Sequence, residues 1–197
     1  TRIGFDDAAW DEVATGVGYD ENSTYIPEFG AGGNLGNRLN NVNTSLYLRV
    51  LFDVADAPAI SELTLKMKYD DGFAAFLNGV RVAVSNSPAS TTWNSKATGN
   101  HADGDATSFK AFNITAHAHL LNTGANVLAI QGLNTSMTSS DMLISPELHA
   151  VRITDPSIGG PGYLGTPSPG TFNGDTFDGF VSDTKFSVDR GFFKTPF

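Results

Sequence analysis

The chain has 197 residues, 40% of them hydrophobic and 17% charged, with a net charge of −9 and no cysteine. That size and apolar fraction suit one domain with a real core and exclude a disordered chain. The charge disfavours nucleic acid, which needs Lys and Arg to neutralise phosphates, and the missing thiols exclude disulfides, thiolate metal sites and cysteine nucleophiles.

No run approaches about 18 consecutive apolar residues, so no membrane-spanning helix is expected. The chain starts at Thr1 and stops at Phe197 in mid-pattern, which reads as a mature or excised fragment. With 21 glycines, 9 prolines and many Asn, Ser and Thr, the composition points to an all-β protein with polar loops. Extracellular bacterial modules share this composition, so the expected location is extracellular, either secreted or at the cell surface.

Phe5-Asp6-Asp7-Ala8-Ala9-Trp10 reads as a turn or one helical turn capped by Asp6 or Asp7, with Trp10 as a packing anchor. Residues 20–44 are loop-like and rich in Gly and Asn, and a polar segment of that length is often functional. Residues 46–54 are a predicted strand with Leu46, Leu48, Val50 and Phe52 on one face. Asp56-Ala57-Pro58 interrupts it. Leu63, Leu65 and Met67 then alternate with Thr64, Lys66 and Lys68, the period of a half-buried strand. Asp70-Asp71-Gly72 breaks this strand and residues 73–77 resume it. Asn78-Gly79 signals a tight turn, because both residues tolerate positive φ, and Val80, Val82 and Val84 follow. The stretch 66–84 is therefore expected to be two strands around a turn, with two adjacent carboxylates at the mouth of the hairpin.

Residues 85–108 form a second long loop, carrying Trp93-Asn94-Ser95 and His101-Ala102-Asp103-Gly104-Asp105. A strand is expected over 109–114, one or two helical turns over 115–121, a buried strand over 126–133, a loop over 134–141 and a last strand over 148–153. After Asp155, Gly159-Gly160-Pro161-Gly162 and Thr166-Pro167-Ser168-Pro169-Gly170 read as an extended linker. The expected organisation is a sandwich over 1–155, a Pro/Gly-rich linker over 156–180, and the start of a following domain or a C-terminal extension over 181–197. Six or more strands with little helix predict an antiparallel β-sandwich or jelly roll.

An ordered set of residues supports a family resemblance. It comprises Phe5-Asp6-Asp7-x-x-Trp10, Leu46 through Val54, Tyr69-Asp70-Asp71-Gly72-Phe73-Ala74-Ala75-Phe76-Leu77-Asn78-Gly79, Phe112-Asn113-Ile114-Thr115, and Leu120-Leu121-x-x-Gly124-Ala125-Asn126-Val127-Leu128-Ala129-Ile130. The chain resembles the galactose-binding-domain-like jelly roll over roughly residues 1–153. It is similar to sugar-binding domains that accompany glycoside hydrolases, and to modules of large secreted planctomycete and marine bacterial proteins with lamin-tail and chitobiase-C-terminal-like neighbours. The resemblance implies the fold and non-catalytic carbohydrate binding, and leaves the ligand open.

The candidate residues fall into two groups. Asp70 and Asp71 are either solvated turn residues bonding backbone N–H groups or ligands of Ca²⁺ or a sugar hydroxyl. Ca²⁺ takes six to eight hard oxygens, so partners must come from distant loops, and Asn134, Ser139, Ser140 and Asp141 are available. Asp70, Asp71, Asn134 and Asp141 are the candidate ligands of a structural Ca²⁺. Asp103-Gly104-Asp105 is a second acidic pair, read either as a polar loop or as two carboxylates converging on one ion across a Gly turn.

Sugar rings stack on exposed aromatic rings, which makes Trp93 the first candidate platform, the alternative being that it folds back over the sheet edge; Tyr25, with Phe29, is a weaker candidate. Asn94, His101 and Asp103 are the candidates for selecting hydroxyls. His117 and His119 lack an evident third ligand for zinc. No Gly-x-Ser-x-Gly, His-Glu-x-x-His or P-loop motif is present, so no enzyme activity is expected. The expected function is carbohydrate binding in a secreted polysaccharide-degrading or surface protein, with a polysaccharide or oligosaccharide and neighbouring domains as partners and neither nucleic acid nor membrane. The alternative is a structural or adhesive spacer without a ligand.

Overall fold

Strand formation follows the alternation of apolar and polar residues, and the burial of each strand shows which face turns inward. The computed structural model describes residues 4–153 and the short strands Tyr163–Leu164 and Thr176–Phe177. The elements are β1 (Val17–Asp20), β2 (Ser45–Val54), β3 (Ile60–Asp70), β4 (Gly72–Leu77), β5 (Val80–Ser85), the short helix α1 (Asp103–Ala106), β6 (Lys110–Asn113), β7 (Gly124–Leu133) and β8 (Asp141–Arg152). They form two four-stranded sheets, ordered β1-β8-β3-β6 and β2-β7-β4-β5, with antiparallel strand pairs throughout. The chain is an all-β antiparallel sandwich.

The core lies between the sheets. Leu63, Leu65 and Met67 of β3 point into it, as do Phe73, Ala75 and Leu77 of β4, Leu128 and Ile130 of β7, and Met142 and Ile144 of β8. Tyr69, Phe73 and Phe112 close one end edge to face, with Phe73 centroids 5.0 Å from Tyr69 and 5.1 Å from Phe112. The 3-10 helix Thr115–Leu120 occupies the predicted helical turns.

The hairpin expected over 66–84 is corrected by the topology. β3 and β4 belong to different sheets, so Asp70-Asp71 marks a crossing from one sheet to the other. The true hairpin is β4–β5, with Leu77 opposite Val80 and a two-residue turn of Asn78 at φ 48° and Gly79 at φ 93°. Two segments are strands that periodicity does not reveal. β1 is four residues interrupted by Gly18, defined by its pairing with Asp141–Ile144. β8 begins at Asp141 although Pro146 lies within it. Pairing with β1 ends at Ile144, so Pro146 sits where β8 has one free side and a missing N–H is tolerated.

The chain divides into two compact units, Thr1–Ile153 and Thr154–Phe197. In the second, Tyr163–Leu164 pairs antiparallel with Thr176–Phe177 inside the interval read as a linker. The remainder of that interval and the expected domain start at 181–197 lie outside the described residues.

Candidate functional site

Two places stand out, an acidic cluster at one rim of the sandwich and an aromatic groove on the outer face of the sheet β2-β7-β4-β5.

The acidic cluster joins Asp70, at the end of β3, Asp141, at the start of β8, and Asp103, at the start of α1. One oxygen from each lies within 4.8 Å of the others. β3 and β8 pair directly, with Asp70 opposite Leu143, which brings the first two carboxylates to the same end of one sheet. Asp70 and Asp141 are buried and Asp103 is exposed. Burial, reinforced by the charges of Asp71 and Asp141, pushes the Asp70 carboxyl up to about 9. Burial and the charge of Asp103 also raise Asp141. Tyr19 is pushed up to about 12 by burial and by Asp141, Glu21 and Asp70. Negative charge is therefore concentrated where water is scarce, and only a proton or a cation relieves it.

Asn134 is buried beside this cluster. Its Nδ2 donates to the carbonyl of Asp141 at 2.7 Å and to Tyr19 Oη at 3.1 Å. Its Oδ1 is buried without a hydrogen-bond partner among the described residues, an arrangement that costs free energy. The three carboxylates are hard ligands, and the cluster can hold a metal ion.

Asp71 does not belong to this set, against expectation, because its oxygens serve the fold. Oδ2 accepts from the Thr135 N–H at 2.9 Å and Thr135 Oγ1 at 2.6 Å, and Oδ1 accepts from the His101 N–H at 3.2 Å. Tyr25 is a second correction. It is 0% exposed, packed with Ala106 and Leu143, and donates its hydroxyl to Asp70 Oδ2 at 3.3 Å. A ring without exposed surface cannot stack on a sugar; Tyr25 forms the floor under the carboxylates. Asp103 is placed with the carboxylates and not beside Trp93's groove. His101 lies flat on Tyr69, with centroids 4.2 Å apart, and donates from Nδ1 to the Tyr69 carbonyl at 2.8 Å. Asn94 Oδ1 accepts from the N–H and Oγ1 of Thr44, both at 2.9 Å. These polar groups secure loops, leaving His101 Nδ1 and Asn94 Oδ1 committed to the protein.

Trp93 is different. It is 75% exposed, although tryptophan is usually well buried. Its position is nevertheless fixed. Tyr47 Oη donates to the Trp93 carbonyl at 2.7 Å and Gln131 Nε2 to the Thr92 carbonyl at 2.8 Å. Arg81 grips the preceding residues through the carbonyls of Ala89 and Pro88 and through Ser87 Oγ. A tethered loop thus holds an indole ring in water. The ring borders a groove of about 430 Å³ whose lining includes Phe5, Trp10, Tyr47, Phe76, Ala129 and Gln131. Phe5 and Trp10 meet edge to face at 5.6 Å, and the Arg49 guanidinium lies 5.1 Å from the Phe5 centroid while Nε bonds Asp7 Oδ2 at 2.7 Å. That bond to Arg49 holds the Asp7 carboxyl below its ordinary range.

Trp10 was expected to be a packing anchor, but it is 41% exposed and lines this groove. The sequence signal for the groove was Tyr47, an aromatic on the polar face of an otherwise regular strand. Its convergence with Trp10 and Trp93 depends on tertiary structure.

No protein-family model matches the chain, and no curated protein is significantly similar to it. Among solved structures, native alfa-L-rhamnosidase from Aspergillus terreus is similar over 55% of this chain and 12% of that one, at 12% identity and a TM-score of 0.34. The matched part is a small fraction of the rhamnosidase, and a likeness at that score adds nothing to the reading of the sites.

Proposed function

We propose that this chain is a non-catalytic carbohydrate-binding module of the galactose-binding-like jelly-roll type, carried by a larger extracellular protein, and that its acidic cluster holds Ca²⁺. The observation that carries the reading is Trp93, an indole 75% exposed on a loop tied down by hydrogen bonds. Exposing that apolar surface has a solvation cost, and stacking against the apolar face of a pyranose would recover it. The eight sandwich strands in two sheets support the jelly-roll assignment.

The acidic cluster supports a structural role for the ion. Glycoside hydrolysis needs two carboxyl groups flanking the scissile bond, about 5–10 Å apart. Asp70 and Asp141 are 3% and 7% exposed, so a substrate cannot pass between them. Ca²⁺ accepts carboxylate and amide oxygens with flexible geometry, and Asp70, Asp103, Asp141 and Asn134 offer both. The loop that presents Trp93 runs on to Asp103, so an ion on Asp103 would fasten the far end of the platform loop.

Affinity electrophoresis through gels containing plant and algal polysaccharides tests the binding, with end-product chromatography of the same mixtures to detect turnover. Retardation without cleavage is the expected result. Absence of retardation in every gel, or release of sugar, would overturn the proposal. For the ion, thermal unfolding is expected to shift upward with CaCl₂ and downward with chelator, and an unchanged Tm would remove Ca²⁺ from the account.

A further inference from the structure

The lining of the groove restricts which glycan can occupy it, and this inference rests on the carbohydrate-binding reading above. Trp93 and Trp10 both line the groove, but they come from different segments, the 91–93 loop and the N-terminal turn. Beyond Trp10 the surface continues into a cleft of about 670 Å³ between residues 7–15 and β2, which shares Trp10, Tyr47 and Arg49 with the groove. Together they enclose more space than a single sugar ring fills, with aromatic rings supplied from two different segments of the chain.

The charges along this path favour a neutral occupant. The acidic residues lining it are Asp7, Asp11 and Glu12, and the basic ones are Arg38 and Arg49. Both arginines are engaged by those acids, Arg49 by Asp7 at 2.7 Å and Arg38 by Asp11. Arg81, near the loop base, is committed to the carbonyls of Ala89 and Pro88. A sulfate or uronate would therefore meet arginines already paired and a lining with one acid in excess, inside a chain of net charge −9. Uncharged hydroxyls and apolar ring faces suit it. The remaining polar groups are hydroxyls and amides, such as Thr91 and Gln131.

We infer that the groove takes an uncharged glycan chain of two or more sugar units, with one ring on Trp93 and another on Trp10. Stacking at two places makes affinity rise with chain length, and losing either platform weakens the longer ligands.

The test combines affinity electrophoresis on neutral, uronate-containing and sulfated polysaccharides with calorimetric titration of a length series of the retarding neutral glycan. Wild type, Trp93→Ala and Trp10→Ala are compared, and circular dichroism and thermal unfolding establish that each variant is folded. Retention on a neutral polysaccharide, affinity that rises from mono- to trisaccharide, and a loss of roughly tenfold in each variant are expected. Retention on the acidic polysaccharides alone would overturn the inference while leaving carbohydrate binding intact. Equal affinity for monosaccharide and trisaccharide, or a folded Trp10→Ala variant that binds as wild type does, would overturn it in the same way. Failure of wild type to bind any glycan would remove the reading on which it rests. Should Trp10→Ala fail to fold, the length series on wild type and Trp93→Ala still decides between one platform and two.

Discussion

Asp71 shows how one side chain can be mistaken for a ligand and serve instead as a fastener. Its carboxylate accepts from Thr135 twice and from His101, and its carbonyl accepts from Asn86 Nδ2 at 2.9 Å, so the 86–101 and 134–140 loops meet on it. Asp71→Ala leaves the Thr135 and His101 donors to its carboxylate unsatisfied at a site 5% exposed, while the backbone bond from Asn86 remains. The expected loss is about 1–3 kcal/mol, read from urea unfolding; Asp70→Asn, which keeps the shape and removes the cost of protonating a buried carboxyl, is expected to stabilise the calcium-free protein at neutral pH. Asp70 also sets a pH dependence. Its folded value of about 9 lies above the ordinary 3.8, so between those values the folded chain holds a proton that the unfolded chain releases. Its contribution to stability is fully present below about pH 4 and is lost as the pH rises toward 9. In chelator, that contribution should lower Tm progressively over this window, and the rise in Tm on adding Ca²⁺ should grow with pH as the proton gives way to the ion. Asp70, Asp141 and Asn134 were visible in the sequence as oxygen donors in loops that had to meet. The burial of Tyr25 was not, because an aromatic in a polar segment reads the same whether it faces water or the core.

At the scale of elements, the long strands were legible because their alternation is strong. Leu63, Leu65 and Met67 read as inward-facing, and they are 1%, 0% and 0% exposed. Asn78-Gly79 likewise identified a turn whose positive φ angles favour such residues. β1 was not legible, since Val17-Gly18-Tyr19-Asp20 is too short and too glycine-rich to carry a period, and its conformation comes from β8. Gly18 is there for close approach. A Cβ at that position would lie 1.8 Å from the Met142 carbonyl oxygen, a backbone atom that cannot step aside without separating the strands. Gly18→Ala is expected to cost about 3 kcal/mol, at the upper end of overpacking. It should also loosen the rim, because β1 carries Tyr19 and ends beside Asp141. Hydrogen exchange at residues 17–20 and 141–144 measures this directly, with protection falling there before the β4–β7 pairing is affected.

For the whole molecule, the division of labour is between a rim that holds loops and a face that presents rings. Asp103 and Trp93 sit on one loop, between β5 and β6, which links the acidic cluster to the groove. The two sites were separable in sequence only by residue type, acids against aromatics. Asp103 reads in sequence both as a group that selects hydroxyls and, with Asp105, as a carboxylate pair for an ion, and folding brings it to Asp70 and Asp141. The net charge of −9 disfavours polyanionic partners, in keeping with the neutral glycan inferred for the groove. The most direct test of the central claim is affinity electrophoresis of wild type beside Trp93→Ala on neutral polysaccharides, with thermal unfolding of both. Because the ring is 75% exposed, its removal should change stability by no more than about 0.5 kcal/mol. Retarded wild type and an unretarded variant with nearly the same Tm is the result this account predicts. Equal retardation of the two proteins, or no retardation of wild type on any polysaccharide, would contradict it.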